Sequence, residues 1–138
     1  MASIGSSGDG RTAAASAAAF RQAIEQRDTA ALLQTLAPDV VFHSPIVHAP
    51  YAGCDAVASV LRAVLHVFAD FRYVAEYSAP NGHVLQFQTR VGDRQLEGVD
   101  ILTFDDAGLV REFTVMVRPY SAATALREAM AARLAASE

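Results

Sequence analysis

Lysine is entirely absent from this 138-residue chain, and its eleven basic residues are arginines that stand singly along the sequence. The acidic residues outnumber them, which gives a net charge of -4. Because a nucleic-acid-binding domain needs a concentrated basic face, we expect no nucleic-acid partner. No apolar run approaches the roughly 18 residues of a membrane span, and no charged and then apolar signal segment opens the chain. These absences predict a cytoplasmic protein with no membrane partner.

Cysteine is nearly absent as well, because Cys54 is the single one in the chain. A lone cysteine cannot form an internal disulfide and is typical of a reducing compartment. The chain also has no Gly-rich phosphate loop, no Cys/His cluster with zinc spacing and no G-x-S-x-G motif, and its four histidines are dispersed. We therefore expect no cofactor and no metal.

What the chain does contain is a high proportion of hydrophobic residues, 52% against 19% charged. This composition predicts one folded domain rather than a disordered chain. Residues 1–11 are rich in Gly and Ser and show no hydrophobic period, so they are predicted to be a disordered tail. Residues 12–137 then form the single domain.

Helical spacing of apolar residues occurs in four segments. They are Thr12 to Arg27, Asp28 to Pro38, Asp55 to Phe68 and Tyr120 to Ser137. Thr12, Asp28 and Ser121 are predicted N-caps, since their side-chain oxygens can accept hydrogen bonds from the first free amides. The short second helix includes Leu36 and ends at Pro38, where a proline cannot continue the helix.

Strand signals occupy the remainder of the domain. Val40 to Ser44 is a short β-branched and aromatic run, and a loop follows to Gly53. From Phe71 onward the period changes to two, and three turn signals separate four strands: Asn81-Gly82, Gly92-Asp93 and Asp106-Ala107-Gly108. The prediction is an α+β fold in which one curved antiparallel sheet carries helices on its concave side.

One charge stands on the apolar face of this predicted sheet. Pairing Phe104 with Leu109 sets Asp100 opposite Phe113, and a two-residue Gly92-Asp93 turn sets it opposite Leu85. The resulting face is Leu85, Phe87, Leu96, Gly98, Asp100, Leu102, Phe104, Phe113, Val115 and Val117. An ionised carboxylate is costly in such a place unless it is paired or protonated. Asp100 is therefore either satisfied structurally or kept for chemistry, and both roles stay open.

The opposite face of the sheet is mixed polar, but Val99, Ile101 and Met116 interrupt it with apolar area. Apolar area of this kind on an outer face favours burial against a second subunit. We therefore expect a homodimer formed through the outer sheet face.

A curved sheet that a few helices cannot completely fill leaves a cavity. Further candidates for acid/base work lie in the segment FHSPIVHAPYAG, a strand and loop expected at the mouth of that cavity. His43 and His48 are candidate catalytic partners of Asp100, since histidine titrates near neutral pH. Strand alternation points His43 and Ser44 to opposite faces, so at most one of them enters the cavity unless the strand breaks there. Farther along, Tyr73, Glu76 and Tyr77 stay unassigned, because a bulge near the Asn81-Gly82 turn would exchange their faces.

The whole pattern resembles a known superfamily. Over Thr12 to Met130 the chain is similar to the nuclear transport factor 2-like superfamily, in its SnoaL-like branch. The features that carry this similarity are, in chain order, two helices, the segment APDVVFHSP, a G-x-x-A-V helix and the strand pair GVDILTFDDAGLVREFTVMVRP. The resemblance implies a cone-shaped barrel with three N-terminal-half helices over the concave face, a C-terminal helix and a deep apolar cavity. Members include isomerases, polyketide cyclases, dehydratases, epoxide hydrolases and non-catalytic binders, so the fold fixes no reaction.

Position by position, the resemblance to ketosteroid isomerase is partial. The isomerase acid that an apolar site keeps neutral matches Asp100. Its base precedes the proline of the first strand, where this chain has Ser44, and its tyrosine on the first helix falls near Phe20. In SnoaL-like cyclases an aspartate on the sheet is the proposed base, a role open to Asp100.

The sequence thus predicts a cofactor-independent acid/base enzyme of isomerase, cyclase or lyase type. Its substrate would be a small hydrophobic carbonyl compound, and the alternative is a non-catalytic ligand-binding or interaction module. The predicted catalytic residues are Asp100, His43 and His48, and the predicted pocket-lining residues are Phe20, Ser44, Tyr51, Leu85, Phe87, Gly98, Phe113, Val115 and Val117.

Overall fold

A computed structural model describes residues 12–136, and the predicted tail at residues 1–11 lies outside the described residues. The described chain forms α1 (Ala13–Glu25), α2 (Thr29–Gln34), β1 (Leu36–His43), β2 (Tyr51–Ala52), α3 (Cys54–Val67), β3 (Ala69–Ala79), β4 (Gly82–Val91), β5 (Arg94–Phe104), β6 (Val110–Arg118) and α4 (Tyr120–Ala136). The predicted α+β fold is confirmed. In residues 12–136, no helix has the length and apolarity required to cross a membrane.

The six strands form one sheet in the order β2-β1-β6-β5-β4-β3. Strands β3 to β6 pair antiparallel with their neighbours in sequence, which confirms the predicted meander. Strand β1 pairs parallel with β6, so the first predicted strand joins the far side of the meander. A parallel pair requires a long connection, and here the whole of β2 to β5 with α3 supplies it.

The register around Asp100 follows the prediction on one side only. Asp100 lies opposite Leu85 on β4, as expected. On β6 it lies opposite Val115 rather than Phe113, because Phe104 pairs with Val110 rather than Leu109 and the register shifts by one further residue between Thr103 and Phe104. Since side chains alternate with a period of two, this two-residue difference leaves Asp100 on the predicted concave face.

Helices α1, α3 and α4 pack over the concave face. Phe20 of α1 is fully buried, and its ring meets that of Phe113 edge to face at 5.2 Å between centroids. Arg27, just after α1, donates hydrogen bonds to the carbonyl oxygens of Leu65 and Phe68, the second at 3.0 Å. These bonds tie the end of α1 to the end of α3 and hold both helices over the sheet.

The boundaries of helices α2 and α4 differ from the prediction. Leu36 begins β1 and is not part of α2, and Pro38 lies inside that strand where its pairing with β6 is irregular. An irregular pairing tolerates proline, which has no amide to donate to a ladder. Helix α4 begins at Tyr120, so Ser121 lies within the helix and is not its cap.

Helix α3 also begins earlier than predicted, at Cys54, so that Asp55 lies in its first turn. The residue before it, Gly53, has φ +96°, a conformation that side-chain-bearing residues rarely adopt. Its amide donates to the carbonyl oxygen of Val40 at 2.8 Å, which ties the start of α3 to β1. The two-residue strand β2 beside it was not predicted.

Candidate active site

A cavity of about 220 Å³ lies between the concave face and helices α3 and α4. Its lining is almost wholly apolar, and five phenylalanines contribute to it: Phe42, Phe68, Phe71, Phe87 and Phe113. The polar side chains among the lining residues are Ser44, Tyr51, Tyr73, Asp100 and Arg127. A mostly apolar pocket with a few polar groups is the usual form of a small-molecule site.

Asp100 lines this cavity from the middle of β5 and is only 6% exposed. The Tyr73 phenol donates a hydrogen bond to Asp100 Oδ2 at 2.7 Å, and within residues 12–136 Oδ1 has no hydrogen-bond partner. Burial raises the pKa of Asp100 from 3.8 to about 7, although the hydrogen bond from Tyr73 opposes the rise. The carboxyl group can therefore both accept and release a proton near neutral pH.

Tyr73 reaches the carboxyl group because β3 is irregular. It pairs with Phe87 on the concave face, and the register shifts between Tyr73 and Ala75. Burial, followed by the charge of Asp100, raises the pKa of Tyr73 well above its usual value, so the phenol keeps its proton and acts as a donor. Sequence alternation left this residue unassigned, and only the position of the bulge decides its face. Tyr77, on the same strand, is 60% exposed.

The predicted pocket-lining residues divide into two groups. Five of them line the cavity: Ser44, Tyr51, Phe87, Phe113 and Val115. Phe20, Leu85, Gly98 and Val117 do not line it, although they lie on or against the concave face. Phe20 and Leu85 are fully buried in the packed core, and the ring of Phe87 covers Gly98, with Cζ 2.8 Å from the place of a Cβ.

Neither histidine predicted as catalytic lines the cavity. His43 lies opposite Thr114 on the outer face of the sheet, and its Nε2 is 2.8 Å from Glu112 Oε2. Alternation along β1 turns Phe42 inward and His43 outward, so Ser44 lines the cavity instead. His48 is exposed in the loop that follows. The predicted pairing of Asp100 with a histidine is corrected, and Tyr73 is its observed partner.

Ser44 shapes the loop beside the cavity. Its Oγ accepts hydrogen bonds from the amides of Ile46, at 2.9 Å, and Val47, at 3.2 Å. Tyr51 stacks on Phe42 with 6.0 Å between ring centroids. The hydroxyl of Ser44 therefore holds a tight turn next to the aromatic wall.

Residues 17–113 match the family model of the SnoaL-like domain. The chain belongs to the SnoaL-like family. The resemblance noted in the sequence is thereby confirmed for most of the SnoaL-like domain, including β5, which carries Asp100. None of the curated proteins matches the chain.

Solved structures extend the comparison of this SnoaL-like chain. A crystal structure described as a steroid delta-isomerase from Pseudomonas aeruginosa is 45% identical, with a TM-score of 0.87 over 91% of this chain and 93% of that one. An uncharacterized protein with a cystatin-like fold from Silicibacter pomeroyi is 36% identical, with a TM-score of 0.82 over 86% and 84%. An NTF2-like protein of unknown function from Mesorhizobium loti shares the fold at 19% identity, with a TM-score of 0.70 over 78% of this chain and 91% of that one.

The SnoaL-like site lacks two groups that the resemblance to ketosteroid isomerase implied. Ser44 stands where the base is expected, and its Oγ is occupied by two backbone amides. Phe20 stands near the expected tyrosine and carries no hydroxyl. Asp100 is the one position of the three at which the expected kind of group is present.

A second polar cluster lies on the same sheet but does not line the cavity. His83 Nε2 is 2.8 Å from Glu76 Oε1, and Arg21 of α1 pairs with the same carboxylate. The hydrogen bond from His83, together with the charge of Arg21, lowers the pKa of Glu76. This cluster ties α1 to β3 and β4.

Across residues 12–136, no group of three or more His, Cys, Asp or Glu side chains is arranged to hold a metal.

Proposed function

We propose that this SnoaL-like protein catalyses proton transfer on a small, mostly apolar carbonyl compound, in the manner of an isomerase, with Asp100 as the single proton carrier. The observation that supports this is the arrangement of the carboxyl group. One oxygen is held by the Tyr73 phenol, and the other has no hydrogen-bond partner within residues 12–136, in an apolar cavity. Such a group is placed to exchange a proton with a ligand.

The proposed reaction begins with ionised Asp100. Oδ1 removes a proton from a carbon next to the substrate carbonyl, so that a C–H bond breaks, an O–H bond forms and the electron pair moves onto the carbonyl oxygen. The same carboxyl group then returns the proton to another carbon of the conjugated system, and a double bond changes position. A pKa of about 7 suits both steps, since the group is neither too weak a base nor too weak an acid at neutral pH.

The choice of an isomerase is supported by the 45% identical Pseudomonas aeruginosa protein, which is described as a steroid delta-isomerase.

The size of the cavity limits the size of the substrate. About 220 Å³ is below the roughly 300–1,000 Å³ of typical small-molecule sites. We therefore propose a compact unsaturated ketone for this chain.

The test is the exchange of substrate protons with solvent. Small unsaturated ketones are first screened for binding by thermal shift, and binders are then followed in D₂O by proton NMR. We expect the wild type to speed exchange next to the carbonyl, with a rate that rises as the pH passes through about 7. Asp100→Asn should lower this rate at least about 100-fold. Equal rates for the variant and the wild type would exclude Asp100 as the proton carrier.

Three further variants separate chemistry from packing. Because the Tyr73 hydrogen bond lowers the pKa of Asp100, Tyr73→Phe should move the midpoint of the pH–rate profile to higher pH. Tyr77→Phe is the matched control, since Tyr77 lies on the same strand but is 60% exposed. His43→Gln, on the outer face, should leave the profile unchanged.

A non-catalytic binding module is the second candidate, and it is favoured by the hydrogen bonding of Ser44 and by Phe20. These residues replace two groups on which ketosteroid isomerase depends. On this hypothesis Asp100 only holds a polar group of the ligand. Ligands that bind with Asp100-dependent affinity but show no proton exchange would establish this second function.

We also propose a homodimer through the outer sheet face, where Met116 is 57% exposed. Met116→Arg should place a charge in that interface and weaken dimerisation at least about tenfold. Ala132→Arg on the exposed surface of α4 adds the same charge elsewhere and serves as the control. Sedimentation at micromolar concentration measures both, and a monomeric wild type would contradict the proposal.

The cytoplasm remains the proposed location, on the basis of the single cysteine.

A further inference from the structure

The cavity has a closed end and an open end. Asp100 and Tyr73 are 6% and 7% exposed, so they lie at the closed end. Among the lining residues, Val47 is 43% exposed, and Arg127 and Ala131 are exposed as well. The cavity therefore opens between the loop after β1 and helix α4, and Arg127 stands at this opening.

Arg127 is the one cationic side chain among the described lining residues. The residues three and four positions away on α4 are Ala123, Thr124, Met130 and Ala131, so the helix offers it no acidic partner. Within residues 12–136 the Arg127 guanidinium makes no ion pair, in contrast to the arginines that pair with nearby carboxylates, which are Arg21, Arg90 and Arg118. Its donors are therefore available to a ligand.

Arg127 is the one charged donor among the described lining residues at the opening, since Ser44 and Tyr51, on the segment that follows β1, carry only neutral hydroxyl groups. The amides of Ile46 and Val47 already donate to Ser44 Oγ. Asp100, at the far end, becomes negative as the pH rises and would repel an anion placed next to it. An anionic group on a bound ligand would thus be stabilised most strongly at Arg127, since a guanidinium can donate two parallel hydrogen bonds to a carboxylate.

We propose that Arg127 selects the substrate by binding a carboxylate, so that the substrate class is an apolar keto acid. Its carbonyl end lies at Asp100, and its carboxylate lies at the opening. This inference rests on the proposed function, because it takes Asp100 as the group that meets the carbonyl. It adds a second point of recognition to a cavity whose walls are otherwise almost wholly apolar.

The probes are ω-benzoylalkanoates of increasing chain length, each compared with its methyl ester. The ester keeps the ketone and the shape but has no charge, and the series varies the distance between the ketone and the carboxylate. For at least one chain length we expect the acid to bind the wild type about tenfold more tightly than its ester. Arg127→Gln should remove this preference, and high salt should reduce it for the acid alone.

Arg133→Gln is the matched control, because Arg133 is exposed on the same helix but does not line the cavity. This variant should keep the full preference for the acid. An acid that binds Arg127→Gln as tightly as the wild type, at every chain length, would overturn the proposal.

The esters separate this inference from the proposed function. Esters that undergo Asp100-dependent proton exchange, while the acids gain no affinity, would refute the role of Arg127 and leave the proton-transfer function in place. If no ester and no acid binds or exchanges, the role of Arg127 is refuted, and the proton-transfer function is then decided by the unsaturated ketones alone. Loss of the acid preference in Arg127→Gln with unchanged ester exchange supports both.

Discussion

The Asp100→Asn variant should be more stable than the wild type by about 4 kcal/mol near pH 8 and about equally stable near pH 4. The reason is the pKa of Asp100, which burial raises from 3.8 to about 7. Between these two values the folded protein keeps a proton that the unfolded chain releases, so the wild type loses stability as the pH rises. Above about 7 the ionised group is buried in an apolar cavity, and the full cost, about 4 kcal/mol, is present. Asparagine carries no charge to bury.

Urea unfolding at several values from pH 4 to pH 8 measures this effect. The free energies of unfolding of the two proteins should diverge steadily as the pH rises. Asp93→Asn, in the exposed turn between β4 and β5, is the matched control and should follow the wild type. Parallel curves for Asp100→Asn and the wild type would mean that the folded protein does not raise the pKa of Asp100.

Gly98→Ala should destabilise the protein by at least about 3 kcal/mol. A Cβ at Gly98 would collide with the backbone carbonyl oxygen of Met116, lie 2.8 Å from Phe87 Cζ and lie 3.0 Å from Val117 Cγ1. The Phe87 ring packs against Phe68, Phe71 and Tyr73, so moving it would disturb these contacts. The Met116 carbonyl group could move only with strand β6. Because Gly98 pairs directly with Val117, that movement would disturb the ladder between β5 and β6.

Thermal or urea unfolding checks this prediction against Val99→Ala, the next residue on the same strand. Val99 lies on the outer face and is only half-buried within one protomer, so at protein concentrations too low for the proposed dimer its truncation should cost about 1 kcal/mol or less. The difference in unfolding free energy between the two variants measures the effect of the close contacts at Gly98, separately from the effect of any substitution in β5. A Gly98→Ala protein with the stability of Val99→Ala would show that the strands separate easily at this point.

Gly98 lies on the predicted pocket face but does not line the pocket, and its surroundings explain why. The Phe87 ring covers it and itself lines the cavity. A side chain at position 98 would displace that ring. Glycine at this position therefore leaves Phe87 in its place on the cavity wall, although Gly98 itself does not line the cavity.

The sequence by itself determined the meander of β3 to β6 and the placement of Asp100, a single charge, on the apolar face of the sheet. Alternation with a period of two is a local property, and the turn signals at Gly92 and Gly108 limit how the strands pair. A two-residue error in the β5–β6 register left Asp100 on its predicted face for the same reason. Two of the predicted helix N-caps, Thr12 and Asp28, also depend on neighbouring residues only. Their side chains accept hydrogen bonds from the expected backbone amides.

Only the tertiary structure decided which groups surround Asp100. The bulge in β3 placed Tyr73 on the carboxyl group, and the pairing of β1 with β6 sent His43 to the outer face. The position of Arg127 at the opening depends on how α4 packs across the sheet, since its own helix shows only a weak apolar stripe. These arrangements come from contacts between residues far apart in the chain, whereas periodicity and capping arise between neighbours.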